Sequence, residues 1–238
     1  MIIKNILSVG CSNTVGVNLE EEIDIFDYHR PHYDGLLGKQ VKLYRYENNF
    51  STRLANMYGA DVTNLGVSGA SNERIIFSTV EQLRKPQSIP PIDLVLVNLS
   101  GQARMTFEHQ KKLFDIDLSY ETDHLMEYAD IGVEGWREFI DFYRNNLFSS
   151  YTTNEKQHNL YIYIVNFLEN KKIPYIITQT VPTEFKIENY TDKCIPITFD
   201  DFNEISGRKR AKGNHWLSDS HEAWAIELHK VIETHYGN

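Results

Sequence analysis

The sequence predicts an α/β fold in which helices cover both faces of a parallel sheet. Short apolar runs alternate with longer helical patterns along the chain, which is typical of parallel βαβ units. The segment from Asp93 to Leu99 is almost continuously β-branched residues and leucines, as expected of a central strand that is buried on both faces. No linker divides the chain, so we expect one domain over residues 1–238.

Four segments are predicted to be strands of this sheet. They are Asn5 to Gly10, Asp61 to Leu65, Asp93 to Leu99 and Pro174 to Thr180. A weaker fifth candidate is Cys194 to Thr198, where Pro196 cannot donate to a strand ladder and so limits the segment to an edge strand or a loop.

Helices are predicted between the strands from periodic apolar residues and from end signals. Residues 17–47 and 103–150 show no such pattern, and we expect lid loops or further helices there. The predicted helices are one that carries Phe50, Leu54, Met57 and Tyr58 before Gly59, one from Ser71 to Pro86, one around Leu160 to Lys171, and one from Ser218 or Asp219 towards Gly237.

Composition narrows the classes of partner and compartment. The formal net charge of −9 argues against nucleic acid as a partner, and the basic run Arg208 to Lys212 is short enough to be a solvated loop. No apolar run approaches the length of a membrane span, and Met1 to Val9 suits a buried first strand better than a signal peptide. Cys11 and Cys194 provide no disulfide framework. We therefore expect a cytoplasmic protein.

The residues that follow the predicted strands are rich in groups that carry chemistry. In open parallel sheets, ligands bind outside the carboxyl ends of the strands. The four segments at this edge are Gly10–Gly16, Asn64–Asn72, Ser100–Arg104 and, ahead of the last helix, Asn214–Ser218. A serine on a tight turn can act as a nucleophile if a base is within reach, a glycine lets the backbone approach a substrate, and a histidine can serve as the base.

These segments resemble the sequence blocks of the SGNH (GDSL-like) hydrolases. Gly10–Gly16 is similar to the first block, which carries the nucleophile, and Asn64–Asn72 to the second block, whose glycine donates to an oxyanion. Gly101–Gln102 stands where the third block is expected, and His215–Ala225 resembles the fifth block. Together the blocks span nearly the whole chain.

The resemblance implies a flavodoxin-like three-layer α/β/α sandwich with a central parallel sheet. It also implies ester hydrolysis through an acyl-enzyme, with Ser12 as nucleophile and His215 as base. The oxyanion would be held by the backbone N–H groups of Ser12 and Gly69, with the side chain of Gln102 as a third donor. The implied substrate is a small-molecule or carbohydrate ester, an O-acetylated carbohydrate first of all, and no cofactor or metal is implied.

The sequence departs from the family pattern at four positions. Cys11 replaces the usual Asp beside the nucleophile, and Gln102 replaces an Asn that donates to the oxyanion. Lys212 stands where the family has the Asp three residues before the catalytic His, and Trp216 replaces a Pro. An acid orients and stabilises the imidazolium in a triad. Here a backbone carbonyl can orient the ring instead, or Asp200, Asp201 or Asp219 could move in, but the spacing demands none of them. A catalytically impaired binding or structural protein with the same fold is therefore the alternative hypothesis.

Each candidate residue also has a structural interpretation. Ser12 could cap a turn, and His215 could be an ordinary loop histidine. His221 is expected to pack at the start of the last helix, and Cys11 to be a small apolar residue rather than a nucleophile.

Three further positions are candidates for substrate binding. Arg104 could hold an anionic group or form a salt bridge, Asn72 could contact a substrate or cap its helix, and Trp216 could shape the pocket. The segment His29 to Asp34 has two histidines and an aspartate, but nothing fixes a metal geometry, so we expect a lid loop there.

Overall fold

The computed structural model describes residues 1–17, 19–23, 35–85, 90–109, 112–118, 135–147, 150–211 and 215–237. The strands are β1 Asn5–Gly10, β2 Asp61–Asn64, β3 Leu94–Leu99, β4 Arg104–His109, β5 Lys112–Asp117 and β6 Tyr175–Gln179. Four parallel strands form the central sheet in the order β2-β1-β3-β6, and β4 and β5 form a separate antiparallel hairpin.

Helices connect these strands and pack against the sheet. Short 3-10 turns lie at Leu19–Ile23 and Ile187–Asn189, and a π-helical turn lies at Tyr143–Leu147. The α-helices are α1 Ser12–Val15, α2 Gly35–Asn48, α3 Phe50–Tyr58, α4 Asn72–Arg84, α5 Trp136–Phe142, α6 Ser150–Lys171, α7 Phe199–Ile205 and α8 Ser218–Tyr236.

Two separate apolar cores confirm the predicted three layers. Successive residues of a strand point to opposite faces, so Leu7 and Val9 of β1 pack towards α4 and α6, with Ile76 and Leu168 in the same core. The neighbouring Ile6 faces the other core, which α3 and α8 complete. The alternating residues of β3 divide in the same way, which explains why that strand is apolar along its whole length.

All four predicted sheet strands are confirmed, with differences of one residue at most at either end. The fifth candidate forms only a single parallel bridge between Ile177 and Cys194, and Thr198 caps α7 instead. The helix end signals also hold: Ser71 accepts a hydrogen bond from Arg74 N, and Gly59 adopts φ +60° at its C-cap. Helix α6 begins at Ser150, earlier than the apolar pattern indicated.

The β4–β5 hairpin and α5 occupy much of the segment that we expected to be lid loops or helices. Met105 and Phe107 pair with Ile116 and Phe114 in the hairpin, and a small third core joins Ile116 to α5. The alternation of apolar residues in both strands was a period-two signal that could have identified the hairpin. No helix in the described part of the chain is long and apolar enough to cross a membrane.

Candidate active site

The turn after β1 presents Ser12 at the carboxyl edge of the sheet. Cys11 is the N-cap of the short helix α1 and makes no side-chain cap bond, while Ser12 is the first helical residue. Only 6% of Ser12 is exposed. Among the described residues, no group forms a hydrogen bond with its hydroxyl. The hydroxyl is therefore not used to cap a turn, which leaves it available to a base or a ligand.

A buried hydrogen-bonded ladder holds this turn on the sheet. Asn98 Nδ2 donates to Thr14 Oγ1 at 3.1 Å, and Thr178 Oγ1 donates to Asn98 Oδ1 at 2.9 Å. From the other side, Asn64 Nδ2 donates to the Thr14 carbonyl at 2.7 Å. The ladder joins α1 to β2, β3 and β6, so the position of Ser12 is fixed by three strands. Sequence reasoning missed it, although Asn98 is a polar residue inside an otherwise apolar strand.

The loop that follows β2 runs beside the end of β1. Val67 N donates to Gly10 O at 2.9 Å, and Ala70 N donates to Val67 O at 3.1 Å. Gly69 has φ +78°, a conformation that side chains disfavour, and a Cβ at that position would have no neighbour within 4 Å. The space on the Cβ side of Gly69 is therefore open.

Asn72 holds the turn that follows β3 by hydrogen bonds from inside the fold. It is fully buried, its Nδ2 donates to Ser100 O at 3.2 Å and to Gln157 Oε1 at 2.7 Å, and Ser100 N donates to its Oδ1 at 2.7 Å. These bonds use the amide on both sides and leave it no surface for a ligand in this structure. Asn72 thus belongs to the framework that shapes the turn at 100–102. The helix cap itself is Ser71.

Two amide oxygens near this turn and near the nucleophile lack partners. Asn13 Oδ1 and Gln102 Oε1 are buried, and neither has a hydrogen-bond partner among the described residues. Since buried polar atoms are normally paired, such atoms indicate a place where water or a ligand completes the bonding. Gln102 Oε1 therefore has no structural partner in the described part of the chain, whereas both the oxygen and the nitrogen of the Asn72 amide are bonded. The Arg104 guanidinium donates to Ser100 Oγ at 2.7 Å, so it braces the same turn.

His215 and Trp216 lie on the segment before α8. His215 is half-buried, and its carbonyl accepts a hydrogen bond from Ala211 N at 2.7 Å. Trp216 is only 1% exposed, its Nε1 donates to Asp200 Oδ1 at 2.7 Å, and the Arg210 guanidinium lies 4.2 Å above its ring. Trp216 thus forms the inner support of this segment. Lys212 lies outside the described residues.

The three acids considered as partners of His215 each have another bond. Asp200 accepts from Trp216, and burial raises the pKa of its carboxyl while that bond and Arg210 oppose the shift. Asp201 accepts from Thr198 Oγ1 at 2.8 Å, and Asp219 accepts from Ser220 N at 2.7 Å. Each of these acids thus holds a group other than His215.

His221 is buried in the core beneath the site. Its Nδ1 accepts a hydrogen bond from Phe50 N at 3.3 Å, and its ring stacks on the Phe50 ring with centroids 5.9 Å apart. Burial, with smaller contributions from Arg53 and His215, lowers its pKa to about 3. The imidazole is therefore neutral and packs at the start of α8.

The cysteines and the metal question complete the set of candidates. Cys11 and Cys194 are both buried and unpaired, and Cys11 Sγ lies 3.3 Å from Thr180 Oγ1. Among the described residues there is no group of three or more side chains that could hold a metal ion. The His29 to Asp34 segment lies outside them.

Comparison with known proteins connects this geometry to a class of enzymes at the level of the fold. No protein-family model matches the sequence, and no curated protein is significantly similar to it. Three of the similar solved structures each match 98% or more of the chain, and the chain spans about two thirds of the length of each of the three. The first is a carbohydrate esterase family 2 enzyme with a carbohydrate-binding domain from Corynascus thermopiles (Myceliophthora fergusii), with 14% identity, 67% of that chain covered and a TM-score of 0.50. The second is a carbohydrate esterase whose active site displays divergent catalytic and non-catalytic binding functions, with 14% identity, 66% of that chain covered and a TM-score of 0.55. The third is an acetyl xylan esterase from the rumen bacterium Butyrivibrio proteoclasticus, with 13% identity, 64% of that chain covered and a TM-score of 0.52.

These similarities define the class of fold to which the chain belongs. The chain has the SGNH hydrolase fold, as the resemblance of its sequence blocks implied. At such low identity the likeness extends to the fold alone, and the chemistry has to be argued from the residues of this chain.

Proposed function

We propose that this chain is a serine esterase that removes a small acyl group from an ester through an acyl-enzyme. The observation that carries the proposal is the Ser12 hydroxyl, which is held at the carboxyl edge of the sheet by a three-strand ladder and has no hydrogen-bond partner among the described residues. Nucleophilic catalysis requires an accessible hydroxyl and a base within hydrogen-bond reach of it, and the proposal assigns the base to His215.

The proposed mechanism uses groups at three strand ends. Ser12 Oγ attacks the ester carbonyl while His215 takes its proton, and the collapse of the tetrahedral intermediate expels the alcohol, to which His215 returns that proton. Water, deprotonated by His215, then attacks the acyl-enzyme, and the second tetrahedral intermediate collapses to release the carboxylic acid while His215 returns the proton to Ser12 Oγ. The N–H groups of Ser12 and Gly69 and the amide of Gln102 stabilise the oxyanion, and such donors typically contribute about 3 kcal/mol each.

We propose an O-acetylated carbohydrate as the substrate. The support is the likeness of the fold to a carbohydrate esterase family 2 enzyme and to an acetyl xylan esterase. The two buried unpaired cysteines favour a reducing compartment such as the cytoplasm, where thiols persist.

The test compares wild type, Ser12→Ala and the control Ser78→Ala, which alters a half-buried serine in the middle of α4. We expect a fluorophosphonate probe to label wild type and Ser78→Ala but not Ser12→Ala. Acetate release from p-nitrophenyl acetate and from acetylated xylo-oligosaccharides should fall at least about a thousandfold in Ser12→Ala, since loss of a triad nucleophile removes the chemical step. Equal turnover by Ser12→Ala and wild type would refute the proposal.

The second candidate is a carbohydrate-binding protein that keeps the fold without turnover. The specific observation in its favour is that Asp200, Asp201 and Asp219 each accept a hydrogen bond from a group other than His215, while Lys212 stands where the family has its Asp. One of the similar structures has non-catalytic as well as catalytic binding functions at its active site. Calorimetric binding of xylo-oligosaccharides that persists in Ser12→Ala, with no acetate release by wild type, would favour this candidate.

A further inference from the structure

The β4–β5 hairpin touches the start of α4 through one buried carboxylate. Asp115 Oδ1 accepts a hydrogen bond from the backbone N–H of Ser71 at 3.1 Å and one from Thr106 Oγ1 at 2.7 Å. Its other oxygen, Oδ2, lies 2.5 Å from the Arg74 guanidinium. The side chain of Asp115 is only 4% exposed. A single residue of the hairpin thus binds both the backbone and a side chain of the neighbouring element.

The protons in this cluster have one consistent arrangement. Thr106 Oγ1 donates its only proton to Asp115, so the 2.5 Å contact between Thr106 Oγ1 and Ser71 Oγ requires Ser71 to be the donor there. Ser71 Oγ in turn accepts from Arg74 N at 3.3 Å, as the helix cap. The series of hydrogen bonds from Arg74 N through Ser71 Oγ and Thr106 Oγ1 therefore ends on the Asp115 carboxylate.

This cluster lies two residues after Gly69. Val67 N–H is bonded to Gly10 at one end of the turn, and Ser71 N–H is bonded to Asp115 at the other. Between these two anchors, Ala70 N–H closes the turn onto Val67 O, and Gly69 is left with an open face. The direction of the Gly69 N–H group consequently depends on both anchors.

We infer that Asp115 is a positioning residue, which holds the loop 66–71 so that Gly69 can donate to the oxyanion. The inference rests on the proposed function and assigns the inserted hairpin a part in it. Asp115 itself does not touch the substrate in this scheme. It acts through Ser71 by fixing the backbone that carries the donor.

The central variant is Asp115→Ala, with Glu108→Gln as the matched control on an exposed carboxylate of the same hairpin. We expect kcat to fall about 10-fold to 100-fold with KM within about twofold, because a displaced donor loses part of the 10²–10³ that removal of an oxyanion donor costs. Glu108→Gln should leave kcat unchanged.

Two conservative variants separate positioning from stability. Asp115→Asn keeps an oxygen for Ser71 N–H and Thr106, and Arg74→Gln keeps the whole carboxylate, yet both remove the ion pair. We expect both to lose stability and to retain kcat within about threefold of wild type. If they lose as much kcat as Asp115→Ala, the ion pair and not the loop anchor is responsible, and the inference is wrong.

A paired apolar variant protects the test against misfolding. Replacing a buried ion pair by apolar residues is often neutral for stability, so Arg74→Met with Asp115→Leu should fold while still removing the acceptor for Ser71 N–H. It should show the same loss of kcat as Asp115→Ala. Wild-type kcat in this folded double variant would overturn the inference.

Hydrogen exchange at the Ala70 amide makes the inference testable without activity. Exchange should accelerate at least about tenfold in Asp115→Ala, the factor that corresponds to the loss of one hydrogen bond to a charged group, and stay unchanged in Glu108→Gln. Unchanged exchange in Asp115→Ala refutes the anchor even if wild type is an active esterase. Absence of Ser12-dependent turnover in wild type refutes the proposed function, while accelerated exchange would still establish the anchor.

Discussion

Acidification should destabilise this protein through His221. The imidazole is fully buried between Phe50 and Phe199, its Nδ1 accepts the Phe50 N–H group, and its pKa is lowered to about 3 from an ordinary value of 6.5. Between these two pH values the unfolded chain binds a proton that the folded chain does not. The free energy of unfolding therefore rises with pH in this window, and stability is lost as the pH falls below about 6.5.

The magnitude follows from the two pKa values. Each pH unit inside the window is equivalent to about 1.4 kcal/mol, so lowering the pH from 8 to 5 should remove about 2 kcal/mol through His221 alone. That is a large part of the 5–15 kcal/mol that typically separates folded and unfolded states. Carboxylates also titrate on acidification, so the contribution of His221 must be obtained by difference.

Urea unfolding at pH 8 and pH 5 should be measured for wild type, His221→Asn and the control His229→Asn, two turns further along α8. Asn at position 221 can still accept from Phe50 N–H but does not titrate, so its loss of stability between the two pH values should be about 2 kcal/mol smaller than that of wild type. His229→Asn should lose as much as wild type. An identical acid-induced loss in wild type and His221→Asn would refute the assignment of a buried neutral imidazole.

Two framework residues allow further tests. Asn72→Ala should reduce the free energy of unfolding by about 2–4 kcal/mol, because it leaves buried groups of Ser100 and Gln157 unpaired. The control Asn166→Ala, on an exposed position of α6, should change it by less than about 0.5 kcal/mol. Equal urea midpoints for the two variants would contradict the assigned role of Asn72. Leu54→Ala, in the core between α3 and the sheet, should lower the free energy of unfolding by about 2–5 kcal/mol in the same assay, as for other fully buried leucines. A decrease below about 1 kcal/mol would mean that the core around Leu54 is not packed as described.

The sheet could be predicted because its sequence signals are local. An apolar run buried on both faces, such as β3, and end signals such as Ser71 and Gly59 act within a few residues of the structure that they specify. The β4–β5 hairpin was missed because its apolar residues, such as Phe107, pack on α5 and on each other rather than on the main cores. Its alternation was present but stood within a long segment rich in charges.

In the candidate site, too, the features specified by local sequence could be predicted and those that depend on distant contacts could not. Ser12 and Gly69 follow strands that the sequence predicts, so their position after β1 and β2 could be anticipated. The residues that hold them could not, since Asn98 reaches Thr14 across 84 positions and Asn72 reaches Gln157 across 85. Nothing in the spacing of an asparagine along a chain specifies a partner that distant. The fold brings these pairs together only after the sheet has formed.

The balance between bonded and unbonded polar groups bears on whether the site reacts. A buried ladder such as Thr178–Asn98–Thr14 contributes little net stability compared with apolar packing, but it rigidifies the turn that it joins. Around it, the amides of Asn72 and Asn98 are bonded on both sides, whereas Gln102 Oε1 and the Ser12 hydroxyl have no partner among the described residues. Under the proposed function a bound ester would complete the bonding of these two groups, which is why labelling of Ser12 is the decisive measurement.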